Sequence, residues 1–285
     1  MAELVQIIGI GHSPTLPRRF LNPNEDSGIL KIKEKYGEMG RKLKEARPDL
    51  LLVIGHDHVS QWFMDNMPAF LVGKAPVAEG PFMYEEIGMG VPHYKTPIDV
   101  AAAKSIIQGG FHHGVDFAYS DEFIIDHAFT VPLTYIRPEA DLPIVPIFTN
   151  VMAPPVAPSA RFYQVGVALR AIIEEELPRD MRVAAIFSGH LSVELGGPEL
   201  MNQAVDREFD ECILRLIGQG DVDGLLRETS YERMIQAGNF TSGVLDYVMA
   251  VGLAQGERAS QAEGVFASIN TQAFLVWDLD TEKAE

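Results

Sequence analysis

Short continuous apolar runs alternate along this chain with longer segments in which apolar residues recur every three or four positions. The continuous runs predict strands that are buried on both faces, and the periodic segments predict amphipathic helices that cover those strands. The predicted strands comprise residues 4–10, 51–55, 115–119, 142–148, 182–187 and 264–278, and the predicted helices comprise residues 29–46, 96–107, 160–176, 198–218 and 239–252.

This alternation of strands and helices predicts an α/β fold. We expect a single domain over residues 1–285, with a central, mostly parallel or mixed sheet flanked by helices. Residues 73–95 are rich in Gly, Pro and Met and have no clear period. They are predicted to form a long ordered loop that could cover a site as a lid.

Histidines follow glycine at the ends of three predicted strands. His12 follows residues 4–10, His56 and His58 follow residues 51–55, and His190 follows residues 182–187. The chain has only eight histidines, so this coincidence is the strongest purely physical signal in the sequence. Carboxyl ends of parallel strands meet at one edge of a sheet, where α/β proteins place their sites. A further histidine, His127, adjoins Asp126 at the start of an apolar segment and is predicted to belong to the same site.

Composition and charge restrict the class of protein. A net charge of −17 argues against sequence-independent binding of nucleic acid, because a polyanion would be repelled. No apolar stretch approaches the length of a transmembrane helix, so we expect no membrane partner and a cytoplasmic location. The single cysteine, Cys212, forbids an internal disulfide and is predicted to be a packed thiol.

The clustered histidines suggest metal chemistry. Two neutral imidazoles and one carboxylate, with open positions for substrate and oxygen, form the facial triad of non-haem Fe(II) oxygenases. His12 and His58 are predicted to supply two of these ligands. The aromatic-rich segment after His58, which contains Trp62, is suited either to a wall against a flat apolar ligand or to simple filling of the core. Arg18, Arg19 and Lys74 are either anchors for a substrate carboxylate or ordinary solvated charges.

Four motifs make a resemblance specific. They are Gly11-His12-Ser13-Pro14, Asp57-His58 after a buried strand, Asp126-His127 with Val131-Pro132-Leu133, and Ser188-Gly189-His190-Leu191-Ser192 continuing to Gly197-Pro198-Glu199. In this order and spacing the chain resembles a divergent member of the class III extradiol ring-cleavage dioxygenases, the superfamily of the protocatechuate 4,5-dioxygenase β subunits. The similarity extends over most of the chain.

The resemblance implies an Fe(II) cofactor, O₂ and a small catechol-type aromatic or pyridine substrate whose ring is opened beside the diol. It implies that His12 and His58 are metal ligands and that His127 is a catalytic residue near a substrate hydroxyl. His56 and Trp62 are assigned to substrate binding. A homo-oligomer is expected from the resemblance alone.

The chain departs from the family pattern at two positions. Where many members carry a catalytic histidine this chain has Val193, and we assign that role to His190, which stands at the position of a glycine. The position of the metal-binding glutamate is Gly243. Asp246, one helical turn further on, is the predicted third ligand. The alternatives are Glu194 and an exogenous water.

These departures keep other functions open. Relatives with this fold include non-catalytic partner subunits of two-component dioxygenases and Memo-like metal-binding proteins. A metal-dependent hydrolase is a third hypothesis, because a histidine-bound metal can activate water. The persistence of His12, His58 and His127 favours an enzyme.

Overall fold

The strands and helices follow one another along the chain much as the hydrophobic pattern predicts. A computed structural model describes residues 1–23, 26–63, 65–195, 206–267 and 270–279. The strands are β1 Glu3–Gly11, β2 Leu50–His56, β3 Phe70–Gly73, β4 Val77–Gly80, β5 Tyr94–Pro97, β6 Ala118–Ser120, β7 Ile144–Thr149, β8 Arg182–Gly189, β9 Gln261–Ala267 and β10 Asn270–Asp278. The α-helices are α1 Leu16–Leu21, α2 Ser27–Ala46, α3 Val100–His112, α4 His127–Ile136, α5 Ser159–Glu176, α6 Arg207–Gln219, α7 Val222–Glu228, α8 Tyr231–Ala237 and α9 Leu245–Leu253.

The described strands form an eight-stranded mixed sheet and a separate hairpin. The order across the large sheet is β6-β3-β7-β2-β8-β1-β10-β9. Its centre is parallel: β8 pairs with β1 on one side and with β2 on the other, and β2 also pairs with β7. The edges include antiparallel pairs, β3 with β7 and β10 with both β1 and β9. The predicted α/β class, with a mixed sheet flanked by helices, is confirmed.

Alternate residues of the central strands pack into two different cores, one on each face of the sheet. In β2, Leu50, Leu52 and Ile54 face the core that includes residues of α3, α5 and α9. Leu51 and Val53 face the opposite core, which includes residues of α2 and α4. This two-sided burial is why the strand appears in the sequence as a continuous apolar run rather than an alternating one.

The structure corrects several predicted boundaries. The helix predicted from residue 96 begins at Val100, because Thr96 and Pro97 belong to β5. Asp99 caps the helix by accepting a hydrogen bond from the Ala102 amide at 2.9 Å. The loop predicted at 73–95 contains the β4–β5 pair and a π-helical turn, Glu85–Met89.

Near the carboxyl end the final strand is two antiparallel strands, β9 and β10. The predicted helix at 198–218 is described from Arg207 onward; its earlier part and the Gly197-Pro198-Glu199 motif lie outside the described residues. Across the described ranges, no helix is both long enough and apolar enough to cross a membrane.

Candidate metal centre

The sheet brings the predicted histidines together at one edge. His56 is the last residue of β2, His12 follows β1, and His190 follows β8, which lies between those two strands. His58 lies two residues beyond β2, and His127 is the first residue of α4. All are buried except His58, whose side chain is 14% exposed.

The five imidazoles form one cluster around His12. Its ring centroid lies 4.8 Å from that of His56, 5.4 Å from that of His58, and 5.6 Å from those of His127 and His190. The outer rings also adjoin one another, at 5.0 Å for His56–His190 and 3.9 Å for His58–His127. The strand-end histidines therefore lie together at one edge of the sheet.

A proline in α4 fixes the tautomer of His12. Pro132 has no N–H, so the carbonyl of Ala128, four residues earlier, receives no helical hydrogen bond from it. The Ser188 hydroxyl donates its only proton to this carbonyl. Ser188 Oγ, 3.0 Å from His12 Nδ1, must therefore accept a proton from that nitrogen. The Nε2 atom of His12 is left unprotonated, buried and without a hydrogen-bond partner among the described residues.

His56 is held from behind by Asp246. Asp246 Oδ2 lies 2.8 Å from His56 Nδ1, and its Oδ1 accepts a hydrogen bond from the Thr149 hydroxyl at 2.7 Å. The Nε2 atom of His56 is buried and also without a partner in the described part of the chain. Asp246, which the sequence suggested as a metal ligand, therefore uses its oxygens to orient a histidine. It belongs to none of the metal-competent groups found among the described residues.

Two further carboxylates orient His58 and His127. Asp126 Oδ2 lies 2.8 Å from His58 Nδ1, and its Oδ1 caps α4 by accepting from the Ala128 amide. Glu85, in the π-helical turn, accepts from His127 Nδ1 and also from the His127 amide at 3.3 Å. Each carboxylate favours the Nδ1–H tautomer, which leaves Nε2 free to act as a ligand or a proton acceptor.

His190 occupies the space beside Gly243. Its Nδ1 lies 3.2 Å from the Leu191 carbonyl oxygen, to which it can only donate. A Cβ atom placed on Gly243 would lie 2.4 Å from both Cε1 and Nε2 of His190. The other predicted positions lie elsewhere: Val193 is buried, and Glu194 accepts from the Asn239 amide at 2.7 Å.

Burial keeps His12, His56, His127 and His190 neutral. Desolvation, reinforced by the neighbouring histidines, holds the pKa values of His12 and His56 well below the ordinary range. Burial lowers the pKa of His127 to about 3 and that of His190 to about 4. Neutral imidazoles are the form that binds a metal.

The described residues offer metal-competent groups around the shared ligand His12. One joins it to His56 and His190, and another to His58 and His127, with ligand atoms within 4.8 Å of one another in each. The orphaned Nε2 atoms fit a bound metal, because a buried polar atom without a partner costs about 1–3 kcal/mol. A third group, Glu85 with Asp126 and His127, consists largely of carboxylates that already accept hydrogen bonds.

The remaining predicted residues lie around this cluster. Trp62 packs against Phe148 with ring centroids 4.7 Å apart, a contact with the apolar core. Arg18 is exposed and donates to the Ile87 carbonyl of the π-helical turn at 3.3 Å, and Arg19 is partly buried beside it in α1. Lys74 forms an ion pair with Asp121.

Sequence reasoning missed Glu85 and Ser188 as partners of the histidines. Glu85 lies in a segment without periodicity, so nothing in the pattern indicates that it is buried. Ser188 is part of a motif, but its role depends on Pro132 in a different element.

Comparisons with known proteins agree with the geometry. Residues 6–274 match the family described as the catalytic LigB subunit of aromatic ring-opening dioxygenase. The chain is 30% identical over 199 residues to a 2,3-dihydroxyphenylpropionate/2,3-dihydroxicinnamic acid 1,2-dioxygenase of Photorhabdus laumondii, an alignment covering 69% of this chain and 58% of that protein. It is 27% identical over 241 residues to the enzyme of that name from a Rhodococcus species, covering 84% of this chain and 71% of the relative.

A solved structure shares the fold. The crystal structure of an uncharacterized protein from Escherichia coli K12 matches with a TM-score of 0.61 at 16% identity, over 95% of this chain and 99% of that one. At this identity the likeness concerns the fold alone. The family match covers most of the chain and includes all five clustered histidines. The chain therefore belongs to the LigB family of catalytic subunits of aromatic ring-opening dioxygenases.

Proposed function

We propose that this protein is a non-haem Fe(II) dioxygenase that opens the ring of a catechol-type aromatic compound with O₂, next to the diol. The observation that carries the proposal is the convergence of five histidines, each with a hydrogen-bond partner at Nδ1, at the carboxyl edge of the sheet in a LigB-family chain. Family membership implies a metal cofactor, and imidazole is a suitable ligand for iron.

The substrate class follows from the relatives. Two of them are named for 2,3-dihydroxyphenylpropionate and the corresponding cinnamic acid, which are vicinal dihydroxy aromatics. The first alignment spans only 58% of its relative, so ring substituents are not transferred. We infer a planar vicinal dihydroxy or amino-hydroxy aromatic or pyridine compound. The sequence assigns His56 and Trp62 to substrate binding, but the His56 ring is fully buried and Trp62 packs against Phe148.

A bound Fe(II) would hold the two diol oxygens and provide a position for O₂. The chain itself provides for the protons that a diol must lose on chelation. His127 is neutral, with its Nε2 free and its Nδ1 bonded to Glu85. A proton accepted at Nε2 would be stabilised by that carboxylate and by Asp126, which oppose the lowering of the His127 pKa by burial, and this is the arrangement of a general base. His58, backed by Asp126, has the same arrangement and lies 3.9 Å from His127 between ring centroids.

Anaerobic reconstitution with Fe(II) tests this function. The holoenzyme should consume one O₂ per catechol opened and form a yellow product, in a screen of catechol, protocatechuate and 2,3-dihydroxyphenylpropionate. The His127→Ala variant should lose turnover. The matched control is His112→Ala, because His112 is exposed and pairs with Glu176 outside the cluster. An iron-loaded protein that consumes no O₂ with any diol would refute the proposal.

The alternative is a non-catalytic partner subunit or a Memo-like metal-binding protein. The observation that favours it is Gly243, which leaves no carboxylate in the position of the family glutamate. Stoichiometric metal without ring opening, in the same assay, would support this alternative. The predicted homo-oligomer is tested by sedimentation of the holoprotein.

A further inference from the structure

We infer that the metal is held by His12, His56 and His190, a three-histidine centre with no carboxylate ligand. This deepens the proposed function and rests on its premise that the cluster binds a metal. It differs from the sequence prediction, which pairs His12 with His58 and a carboxylate. His12 belongs to two metal-competent groups, one with His56 and His190 and the other with His58 and His127. The geometry of the two groups decides which of them holds the metal.

The first argument is the shape of the two groups. The ring centroids of His12, His56 and His190 form a nearly regular triangle, with sides of 4.8, 5.0 and 5.6 Å. Three rings arranged in this way can direct one nitrogen each at a common point on one side. In the other group, His58 and His127 lie 3.9 Å apart with only 31° between their planes, which is close to stacking. The first group is therefore the better facial site.

The second argument is burial. The Nε2 atoms of His12 and His56 are the imidazole nitrogens of the cluster that are fully buried and unpartnered in the described residues. Both rings have Nδ1 engaged by a partner, so Nε2 is the nitrogen that each ring has available for a metal. His58 is the most exposed ring of the cluster. We therefore place His58 and His127 on the side from which substrate enters.

The third argument is the contact between His190 and Gly243. The position that Cβ of residue 243 would take is almost equidistant from three consecutive ring atoms of His190, at 2.4, 2.4 and 2.7 Å. It therefore lies over the face of the ring, and the ring can occupy its place only because residue 243 has no side chain. The His190 imidazole fills the volume from which a side chain at 243 would extend, so His190 takes the place of a ligand from that position.

A centre of three neutral ligands has an electrostatic consequence. The full charge of a divalent metal remains, whereas a carboxylate ligand would cancel half of it. One ligand, His56, has a carboxylate behind it, Asp246, which is one hydrogen bond further from the metal. His12 and His190 are paired instead with the Ser188 hydroxyl and the Leu191 carbonyl, which carry no charge. Such a centre favours a doubly deprotonated diol, whose two negative charges balance the metal.

Metal retention tests the ligand set without reference to turnover. We would titrate the metal-free protein with Co(II), following its visible absorption, and measure bound iron after anaerobic loading with Fe(II). His56→Ala and His190→Ala should weaken Co(II) binding by at least about 100-fold, more than the loss of an outer partner costs. His58→Ala and His127→Ala should change it by less than about 10-fold. The opposite pattern, with His58→Ala losing the metal and His56→Ala keeping it, would overturn the inference.

An exchange of ligands keeps the inference testable if an alanine variant fails to fold. Gly243→Glu alone should lose the metal, because its Cβ displaces the His190 ring. The double variant His190→Gly/Gly243→Glu vacates that space and should bind Co(II) with a spectrum altered by an oxygen ligand. Residue 243 does not have a positive φ angle, so its backbone accepts a side chain. A double variant that binds no better than His190→Gly would contradict the inference.

The outcomes separate this inference from the proposed function. Metal lost from the His56 and His190 variants of a protein that opens no catechol would uphold the ligand set and refute the enzyme. Ring opening that survives His190→Ala with full iron content would uphold the enzyme and refute the ligand set.

Discussion

Removing the Ser188 hydroxyl should lower both the stability of the protein and the metal affinity of the site, although Ser188 is not itself a metal ligand. Ser188 accepts a proton from His12 Nδ1 and donates one to the Ala128 carbonyl, which Pro132 leaves without its helical donor. In Ser188→Ala both buried groups lose their partner. Each unsatisfied group costs about 1–3 kcal/mol, so the metal-free protein should lose about 2–6 kcal/mol of unfolding free energy.

The effect on metal affinity is separate from this loss of stability. Without Ser188, nothing in the described structure fixes the proton of His12 at Nδ1, and part of the population carries it at Nε2, where it blocks coordination. Loss of such an outer partner weakens metal binding by about 10–100-fold, or about 1.4–2.8 kcal/mol.

Two titrations measure these quantities. Urea unfolding of the metal-free protein gives the stability change, and Co(II) titration of the folded protein gives the affinity change. Ser260→Ala is the matched control, because Ser260 bonds to the Val276 carbonyl and to Asp278 at the far end of β10, outside the cluster. An unchanged Co(II) affinity in Ser188→Ala would refute the tautomer argument, whatever the stability.

Three further predictions concern packing, proton transfer and metal linkage. Gly166→Ala should destabilise the protein by about 1–3 kcal/mol in urea unfolding, because its Cβ would lie 2.1 Å from the Met249 carbonyl where α5 crosses α9. Gly37→Ala, whose Cβ meets nothing within 4 Å, should instead stabilise the protein by about 0.5–1 kcal/mol. Equal effects of the two substitutions on the unfolding free energy would contradict this account. Glu85→Gln should lower kcat but leave Co(II) affinity within about 10-fold of wild type, because Glu85 orients His127, which in our assignment is not a metal ligand. Loss of the metal with an unchanged kcat would refute that role. Free metal at 100 times its Kd should raise the unfolding free energy by about 2.7 kcal/mol, and a chelator should reverse the shift in Tm; an unmoved Tm would mean that the folded state has no preferential site.

The sequence predicts the part of the site that depends on strand ends. His12, His56, His58 and His190 are recognisable because each follows an apolar run and a glycine, and parallel strands align their carboxyl ends. The α/β class and the family resemblance, both confirmed, depend on the same local signals.

The partners of these histidines could not be predicted because they are brought together only by the tertiary fold. His56 and Asp246 are separated by 190 positions, and no local pattern links them. Helical spacing alone suggests Asp246 as a metal ligand. Spacing cannot show that Asp246 contacts the Nδ1 atom of His56 rather than lying beside its Nε2 atom, where a metal would bind. The short hairpin within residues 73–95 was missed for a related reason, since β4 and β5 have four residues each and little periodicity.

The order of the central strands has a consequence for how the protein is made. β8 lies between β1 and β2, yet it is synthesised more than 120 residues after β2 ends. A nascent chain that stops before Arg182 has a gap in the middle of its sheet and lacks both His190 and the Asp246 that supports His56. With the ligand set inferred above, the metal site is complete only after His190 has been synthesised, and His56 gains its partner Asp246 only with α9. A ribosome-bound fragment that ends before β8 should bind no metal ion at the site formed by His12, His56 and His190.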